Sequence, residues 1–249
     1  MNIINLADTL MAGIARYHEH RVEGLEYIPS SGPALIVVNH SLATYDSGLL
    51  AAAVRAKRGR NVRLLGDRYM FKIPLFRDLA SAYGFVEGSQ DNAEALLRNG
   101  ELVLVAPGGM REALRPSSRK YTLDIGDRMG FVKLALRTRT PVILCACPAA
   151  DDLYHVVANP VTDWVYDRYK LAAPVAFGAF GTLVPQAVQL VHYLNEPVAP
   201  PDQCADDFAL AMNRLAPYYK QPEPEEEPGY ADQSDRTATH NAARRCGTA

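Results

Sequence analysis

The hydrophobic pattern of this chain begins with an amphipathic segment. Residues 2–17 carry apolar side chains three and four positions apart, a spacing that puts them on one face of a helix. Two interpretations fit such a helix: it packs against its own domain, or it lies in the headgroup layer of a membrane. Packing is the commoner arrangement, and we expect it here.

Short apolar runs rich in β-branched residues alternate with helical patterns along the middle of the chain. The runs lie at Ala34–Val38, Val62–Leu65, Leu102–Ala106 and Pro141–Cys147, and the helical patterns at 46–57, 74–82, 89–99 and 127–138. This alternation predicts an α/β domain with a central, mainly parallel sheet flanked by helices. Ligands of such sheets collect beyond the carboxyl ends of the strands, so the loops there are the places to search for a site.

The last part of the chain has a weaker pattern. Prolines interrupt residues 150–200, where we predict one strand near Ala187–Tyr193, and a helix follows near 203–219. From Gln221 onward the sequence is acidic, proline-rich and polar, with almost nothing to bury, which predicts disorder. We therefore divide the chain into an N-terminal amphipathic helix (1–21), one folded domain (22–220) and a disordered tail (221–249).

Composition and charge narrow the classes of protein. The 249 residues are 48% hydrophobic and 22% charged, and the formal net charge of −2 gives no reason to expect nucleic acid. The cysteines and histidines lack metal-ligand spacing, so no metal is predicted. There is no signal-peptide pattern, and no apolar run reaches the ~18 residues that cross a bilayer. We expect a cytoplasmic protein whose contact with a membrane is peripheral.

The first candidate for chemistry is His40, which follows the strand at Ala34–Val38, together with Asp46 where a helix begins. A neutral imidazole can remove a proton from an attacking hydroxyl. A carboxylate on its other nitrogen fixes the tautomer and stabilises the imidazolium that forms. The pair suits alcohol activation, although an aspartate at this position can equally serve as a helix cap.

The second candidate is the loop after the strand at Leu102–Ala106. It contains Pro107, Gly108, Gly109, Arg111 and Glu112. Two glycines let a ligand approach the backbone closely and leave amides to face an anion, while a guanidinium offers a planar fork for phosphate or carboxylate. The loop predicts an anion-binding role, and a plain strand-to-helix turn is the alternative.

The order of four motifs along the chain resembles the glycerolipid acyltransferase superfamily. The motifs are Val38-Asn39-His40 with Asp46, then Val62–Pro74, Ala106–Leu114 and Gly126–Ala135. Four motifs in order are far more specific than any one of them. The resemblance covers residues 22–200, and within the superfamily the chain is most similar to the diacylglycerol and monoacylglycerol acyltransferase-like branch.

The resemblance implies transfer of a fatty acyl group from acyl-coenzyme A or acyl carrier protein to a lipid hydroxyl. It makes His40 and Asp46 the catalytic pair and requires no resident cofactor, since acyl-coenzyme A is a co-substrate. The implied substrate-binding residues are Pro107, Gly108, Gly109, Arg111, Glu112 and Arg68. The implied partners are acyl-coenzyme A, a lipid alcohol and the inner face of a membrane.

Two other functions remain open on these residues. A hydrolase of thioesters or esters would use water as the acceptor on the same histidine and aspartate. A non-catalytic lipid-binding protein would keep the fold without turnover, although the intact pair of His40 and Asp46 is the contrary feature. Product analysis with and without added alcohol separates these alternatives from the acyltransferase.

Two departures from the glycerol-phosphate members concern the acceptor. Five residues separate His40 from Asp46 where those members have four, a spacing that resembles the neutral-lipid branch. Glu87-Gly88 occupies the place where those members carry a phosphate-binding arginine. We therefore expect an uncharged lipid alcohol as the acceptor, unless Arg68 or Arg128 replaces the missing ligand.

A basic run lies between Arg55 and Arg77, a segment that contains eight basic residues and one acidic residue, Asp67. Apolar and aromatic residues are interleaved with these charges. Two interpretations fit the run: a solvated surface, or a surface for anionic headgroups or the phosphates of coenzyme A.

Overall fold

The computed structural model describes residues 3–67, 71, 77, 80–81, 83–123, 125, 128–169 and 174–198. The predicted helix near 203–219, the predicted tail at 221–249 and the candidate Arg68 lie outside the described residues. So do most of the residues of the helical pattern at 74–82.

The elements follow the predicted alternation of strands and helices. In chain order they are α1 (Ile3–Tyr17), β1 (Arg21–Glu23), β2 (Ala34–Val38), α2 (Tyr45–Arg58), β3 (Val62–Gly66), β4 (Phe85–Glu87), α3 (Gln90–Arg98), β5 (Leu102–Val105), α4 (Gly109–Ala113), α5 (Gly130–Thr138), β6 (Val142–Ala146), β7 (His155–Val156), α6 (Pro160–Tyr169), β8 (Ala176–Phe177) and β9 (Val191–Leu194).

Seven of the strands form one sheet in the order β1-β9-β6-β2-β5-β3-β4. The five strands from β6 to β4 are mutually parallel. At the other side β9 runs antiparallel to β6, and β1 pairs with β9 in parallel. The predicted α/β domain with a mainly parallel central sheet is therefore confirmed. β7 and β8 form a separate two-stranded antiparallel sheet.

Helices cover both faces of the parallel part of the sheet. Alternate residues of β2 point to opposite faces, and all five are buried because each face is covered. One face packs against α2 and the other against α3 and α5. The first cluster contains Ile36, Val38, Leu50 and Val54, and the second contains Leu35, Val37, Leu97 and Leu134.

The amphipathic helix α1 packs against its own domain, as the first of its two interpretations predicts. Met11, Ile14 and Ala15 contact an apolar cluster that includes Leu49 and Leu153. No helix of the described residues has both the length and the apolar character needed to span a bilayer.

The first basic residues of the run between Arg55 and Arg77 lie before β3 or on it, whereas Arg68 and Lys72 lie outside the described residues. Arg58 and Arg60 precede β3, at the amino edge of the parallel strands, and Arg63 lies on β3. Several of the side chains contact the protein itself. Arg58 donates to the carbonyl of Ile28, Arg60 to those of Pro29, Gly32 and Gly100, and Arg63 pairs with Glu101 at 2.8 Å. These three guanidinium groups are therefore engaged within the protein.

Candidate active site

The carboxyl ends of β2 and β6 are joined by a pair of hydrogen bonds. The Asn39 side chain donates from Nδ2 to the carbonyl of Cys147 at 3.2 Å, and the Cys147 amide donates to Asn39 Oδ1 at 2.8 Å. Asn39 is buried, and these two bonds satisfy both ends of its amide. The next residue, His40, therefore leaves the sheet from a fixed position.

The His40 ring is oriented by its own backbone. Nδ1 lies 2.8 Å from the carbonyl oxygen of Ser41, and because a carbonyl can only accept, Nδ1 carries the proton. The neutral ring is left with a lone pair on Nε2. Burial lowers the pKa of His40, while the Ser41 carbonyl and the Asp46 charge oppose that shift and Arg115 adds to it. The neutral form that a general base requires is thus the favoured one.

Asp46 is fully buried as the second residue of α2. The Ser41 hydroxyl donates to Asp46 Oδ1 at 2.8 Å. Burial raises the pKa of the Asp46 carboxyl, and the Ser41 hydrogen bond, the His40 charge and the amides of Asp46 and Ser47 oppose that shift. In the part of the chain that the structure describes, no hydrogen bond joins the His40 and Asp46 side chains directly. Ser41 bridges them, with its carbonyl on His40 and its hydroxyl on Asp46.

The five residues between His40 and Asp46 include one in an uncommon backbone conformation. Thr44 has φ 59° and ψ −27°, in the left-handed region, immediately before α2 begins. Its amide donates to the Ser41 hydroxyl at 3.3 Å. Ser41 therefore accepts from Thr44 and donates to Asp46, which fixes the direction of its hydroxyl proton.

Glu112 is almost completely buried beneath His40. Its Oε2 accepts from the His40 backbone amide at 3.1 Å, and its Oε1 lies 3.6 Å from Nη1 of Arg115. Arg115 is in turn paired with Asp151 at 2.6 Å. A Cβ at Gly108 would overlap the Glu112 carboxylate, so a glycine is required there for this contact. The Glu112 side chain ties the loop after β5 to the main chain of the candidate base.

The other predicted substrate-binding residues that the structure describes lie on the same loop or on α4. Arg128 donates to the carbonyls of Pro107 and Gly108. Gly109 has φ +55°, and its amide donates to the Ala106 carbonyl at 3.1 Å, so that amide already has an acceptor within the turn. Arg111 is exposed on α4. The substrate-binding roles of Pro107, Gly108, Gly109, Arg111 and Glu112 stay predictions.

A small polar cleft of about 20 Å³ lies beside Glu112. Leu42, Arg115, Ser117, Lys120 and Tyr154 line it. A larger cleft of about 210 Å³ lies between α2 and the start of β3 and is lined by Arg55, Asn61 and Tyr83, among others. That cleft contains none of the predicted site residues, so its greater size does not make it the candidate active site.

Four residues at the site were not predicted from the sequence. They are Asn39, Ser41, Arg115 and Asp151. Asn39 and Ser41 are the sequence neighbours of His40. A histidine between two hydrogen-bonding residues at a strand end is the pattern that could have indicated them. Arg115 lies three positions after Glu112, the spacing of neighbours on a helix. Nothing in the sequence connects Asp151, which is distant along the chain, to this pair.

These features define the class of protein: an α/β protein with a histidine and a buried carboxylate, bridged by Ser41, at the carboxyl edge of a parallel sheet. A family model described as "Acyltransferase" matches residues 19–147, which include His40, Asp46 and the loop after β5. The chain belongs to the acyltransferase family. The resemblance to glycerolipid acyltransferases predicted from the motifs is thereby confirmed.

Similar proteins agree with this family. The chain is 30% identical over 185 residues to a human protein named "DGAT1/2-independent enzyme synthesizing storage lipids", covering 74% of this chain and 55% of the human protein. It is 29% identical over 202 residues to an uncharacterized protein of Mycobacterium tuberculosis, covering 75% of this chain and 54% of that protein. The chain spans about half the length of these relatives.

One solved structure is similar in fold. The 1-acyl-sn-glycerophosphate acyltransferase PlsC from Thermotoga maritima matches with a TM-score of 0.53 and 16% identity, over 86% of this chain and 75% of that chain. At this identity the match bears on the fold alone.

Proposed function

We propose that this protein transfers a fatty acyl group from acyl-coenzyme A or acyl carrier protein to a lipid hydroxyl, with His40 as the general base. The observation that carries the proposal is the orientation of the His40 ring. Its Nδ1 proton is directed at the Ser41 carbonyl 2.8 Å away, so Nε2 is the atom left to accept a proton. His40 is half-buried, which leaves the ring within reach of a substrate.

The proposed reaction takes place in one site without a covalent acyl-enzyme. Nε2 of His40 takes the proton of the acceptor hydroxyl as its oxygen attacks the thioester carbonyl. The tetrahedral intermediate collapses with cleavage of the carbon–sulfur bond, and the departing thiolate takes the proton back from the imidazolium. The buried Asp46 carboxylate stabilises the positive ring while it exists.

We propose an uncharged lipid alcohol, such as a mono- or diacylglycerol, as the acceptor. A phosphomonoester carries nearly two negative charges, and burying it without matching cations costs several kcal/mol. Glu87 is exposed at the end of β4, and Arg128 donates to backbone carbonyls of the loop after β5. Glu87 is acidic and Arg128 is already engaged, so less positive charge is available to bind a phosphate. The name of the human relative, an enzyme synthesizing storage lipids, also supports a lipid product.

We propose that the protein acts at the inner face of a membrane as a peripheral protein. Most of the exposed large apolar side chains of the described residues lie between 157 and 184. They are Val157, Val161, Trp164, Val175, Phe177, Phe180, Leu183 and Val184. Tyr154, which lines the cleft beside Glu112, donates its hydroxyl to the Leu183 carbonyl. This apolar segment therefore adjoins the candidate site, where a lipid acceptor would enter.

The test supplies labelled oleoyl-coenzyme A with monoacylglycerol and lysophosphatidic acid together and compares the initial rates of both acylated products. We expect a preference for monoacylglycerol, and a clear preference for lysophosphatidic acid would contradict the proposed acceptor. His40→Ala should lower the rate by ~10²–10⁴-fold, and Asp46→Asn nearly as much. His155→Ala, at an exposed histidine of β7, is the matched control and should keep the wild-type rate. Release of free fatty acid alone, unchanged by added alcohol, would identify a hydrolase instead.

A further inference from the structure

Further buried polar side chains lie close to the Asp46 carboxylate. His192 of β9 is fully buried, and its Nδ1 lies 3.0 Å from Nε2 of His20. Ligand-type atoms of Asp46, Cys147 and His192 lie within 4.8 Å of one another. Across the described residues, Oδ2 of Asp46 and Nε2 of His192 are buried atoms without a hydrogen-bond partner. A carboxylate oxygen and an imidazole nitrogen thus share one pocket of the core.

The positions of the protons follow from the contact between the two histidines. One proton lies between His20 Nε2 and His192 Nδ1. If His20 donates it, neutral His192 carries its own proton on Nε2 and presents an N–H to the Asp46 carboxylate. If His192 donates it, a bare Nε2 lone pair faces a carboxylate in the core, an arrangement that is repulsive and leaves both atoms unsatisfied. The first arrangement is therefore favoured.

We propose that His192 is a positioning residue that donates its Nε2 proton to the second carboxylate oxygen of Asp46, while His20 fixes the tautomer of His192. Oδ1 of Asp46 already accepts from Ser41, so Oδ2 is the oxygen left for His192. Within the described part of the chain neither Asp46 Oδ2 nor His192 Nε2 has a hydrogen-bond partner, and the bond requires the two side chains to approach from a separation of at most 4.8 Å. This inference rests on the proposed function of Asp46, and it assigns to the buried histidine pair a role in keeping that carboxylate ionised and oriented toward the ring of His40.

Both histidines of the pair are neutral, so His192 acts on Asp46 through a hydrogen bond rather than a charge. Burial lowers the pKa of His20 to about 4 and that of His192 to about 3. The titratable groups around Asp46 come from several elements. They are His18 of the turn after α1, His40 after β2, Tyr45 of α2, Cys145 and Cys147 at the end of β6, and His192 of β9.

A bound metal ion is the other use that aspartate, thiol and imidazole together suggest. Cys147 lies in an apolar cluster with Leu49, Leu153 and Leu190, and His20 already contacts His192. A metal would also take the Asp46 lone pairs and withdraw negative charge from His40. The geometry therefore favours the hydrogen bond, and a metal becomes one outcome of the test.

The first measurement is independent of activity. Long-range ¹H–¹⁵N correlation spectra of the full chain report which ring nitrogen of each histidine carries the proton. Spectra of the His20→Gln and His192→Gln variants assign the two signals. We expect both rings as neutral Nε2–H tautomers near neutral pH. A His192 ring protonated on Nδ1 would overturn the proposal, as would a stoichiometric metal ion in the purified protein by elemental analysis.

The second measurement is the acid limb of the pH profile of kcat/KM, with oleoyl-coenzyme A and monoacylglycerol as the substrates. His192→Leu removes the donor, so the Asp46 carboxyl is protonated at higher pH. The midpoint of the acid limb of kcat/KM should therefore move to higher pH by about one unit. His192→Gln keeps an N–H at the same distance along the side chain and should keep the limb near its wild-type position.

Leu194→Ala is the control, because it removes buried apolar contacts on the same strand without touching Asp46. It should lower the free energy of unfolding and leave the acid limb in place. Equal acid limbs for His192→Leu and wild type would overturn the proposal. A wild-type protein without acyl transfer would instead count against the proposed function, while the tautomer measurement would still decide whether His192 donates to Asp46.

Discussion

At the scale of single residues, Glu112 shows how a buried charge is used to hold the candidate base. One carboxylate oxygen accepts from the His40 amide, and the other faces the Arg115 guanidinium, which also binds Asp151. Removing one member of a buried set of charges leaves its partners uncompensated, so such sets are sensitive to truncation.

We expect Glu112→Ala to lower the free energy of unfolding by about 3 kcal/mol, because the Arg115 charge loses a partner and the His40 amide loses its acceptor. Glu112→Gln keeps an acceptor of the same size and should cost only about 1 kcal/mol. Urea unfolding measures both. Glu94→Gln is the control, since Glu94 pairs with Arg98 and Arg137 near the surface and should change stability by less than about 1 kcal/mol. An alanine variant as stable as wild type would contradict the role of Glu112.

His40 and Asp46 could be found from the sequence because each directly adjoins a recognisable element. Ser41, which lies between them, and His192, which lies near Asp46 in the core, could not be found in this way. Ser41 acts through its carbonyl as well as its hydroxyl, and a sequence shows no main-chain contacts. His192 is distant from Asp46 along the chain, and its role depends on β9 being the neighbour of β6, which the hydrophobic pattern does not specify.

At the scale of elements, the parallel strands β2, β3, β5 and β6 were predicted because both of their faces are covered. Full coverage gives continuous apolar runs, which are the strongest strand signal in the sequence. β1, β4, β7 and β8 have only two or three residues each, too few for any periodicity. The sequence pattern predicts an interruption at Pro160, yet this residue begins α6, because proline is well suited to the first turn of a helix.

The two-stranded sheet and the turn after β8 hold apolar side chains in a fixed position. Phe180 is fully exposed at φ 54°, and Leu183 is 82% exposed. The backbone of this turn is bonded internally, since the Ala179 amide donates to the Val184 carbonyl and the Gly178 amide to that of Thr182. A turn whose backbone groups are satisfied can enter the apolar layer of a membrane at low cost.

We expect the double variant Phe180→Ser, Leu183→Ser to bind lipid vesicles about tenfold more weakly than wild type, because it removes apolar area that the membrane would bury. Sedimentation with vesicles of neutral lipid, and of neutral lipid mixed with anionic lipid, measures the binding. Leu136→Ser, at an exposed leucine of α5, is the control and should bind as wild type does.

Salt dependence in the same assay tests the basic run. If Arg55–Arg77 contributes, anionic vesicles should bind more tightly and lose the difference at high ionic strength. For the preceding prediction, vesicle binding by the double variant Phe180→Ser, Leu183→Ser that is as tight as that of wild type would contradict the role of these two side chains.

At the scale of the whole molecule, the α/β pattern predicts where the candidate site lies, because parallel strands bring their carboxyl ends to one edge. The rule points to the loops after β2 and β5, which carry His40 and Glu112. It does not predict the places of β1 and β9, which run antiparallel to the other strands, and His192 lies on β9. The set of fully and partly buried imidazoles, His18, His20, His40 and His192, is therefore a property of the assembled sheet and helices.

This set of buried imidazoles makes the stability of the fold depend on pH in a defined direction. Burial lowers the pKa of all four below the ordinary value of 6.5, to about 4 for His20 and about 3 for His192. As pH falls below 6.5 the unfolded chain binds protons that the folded protein does not, so stability decreases toward acid. Asp46 acts in the opposite direction, since its raised pKa lets the folded state bind a proton first.

We expect the double variant His20→Gln, His192→Gln to lose less stability than wild type between pH 6.5 and pH 4, because two of the groups that protonate only in the unfolded chain are gone. The difference at pH 4 should be on the order of a few kcal/mol, relative to the difference at pH 7. Asp46 is present in both proteins, so its opposing effect largely cancels in the comparison. Urea unfolding at a series of pH values gives the two curves, and His155→Gln, at an exposed position, should give a curve parallel to wild type. Parallel curves for the double variant and wild type would show that His20 and His192 do not stay neutral in the folded protein at pH 4.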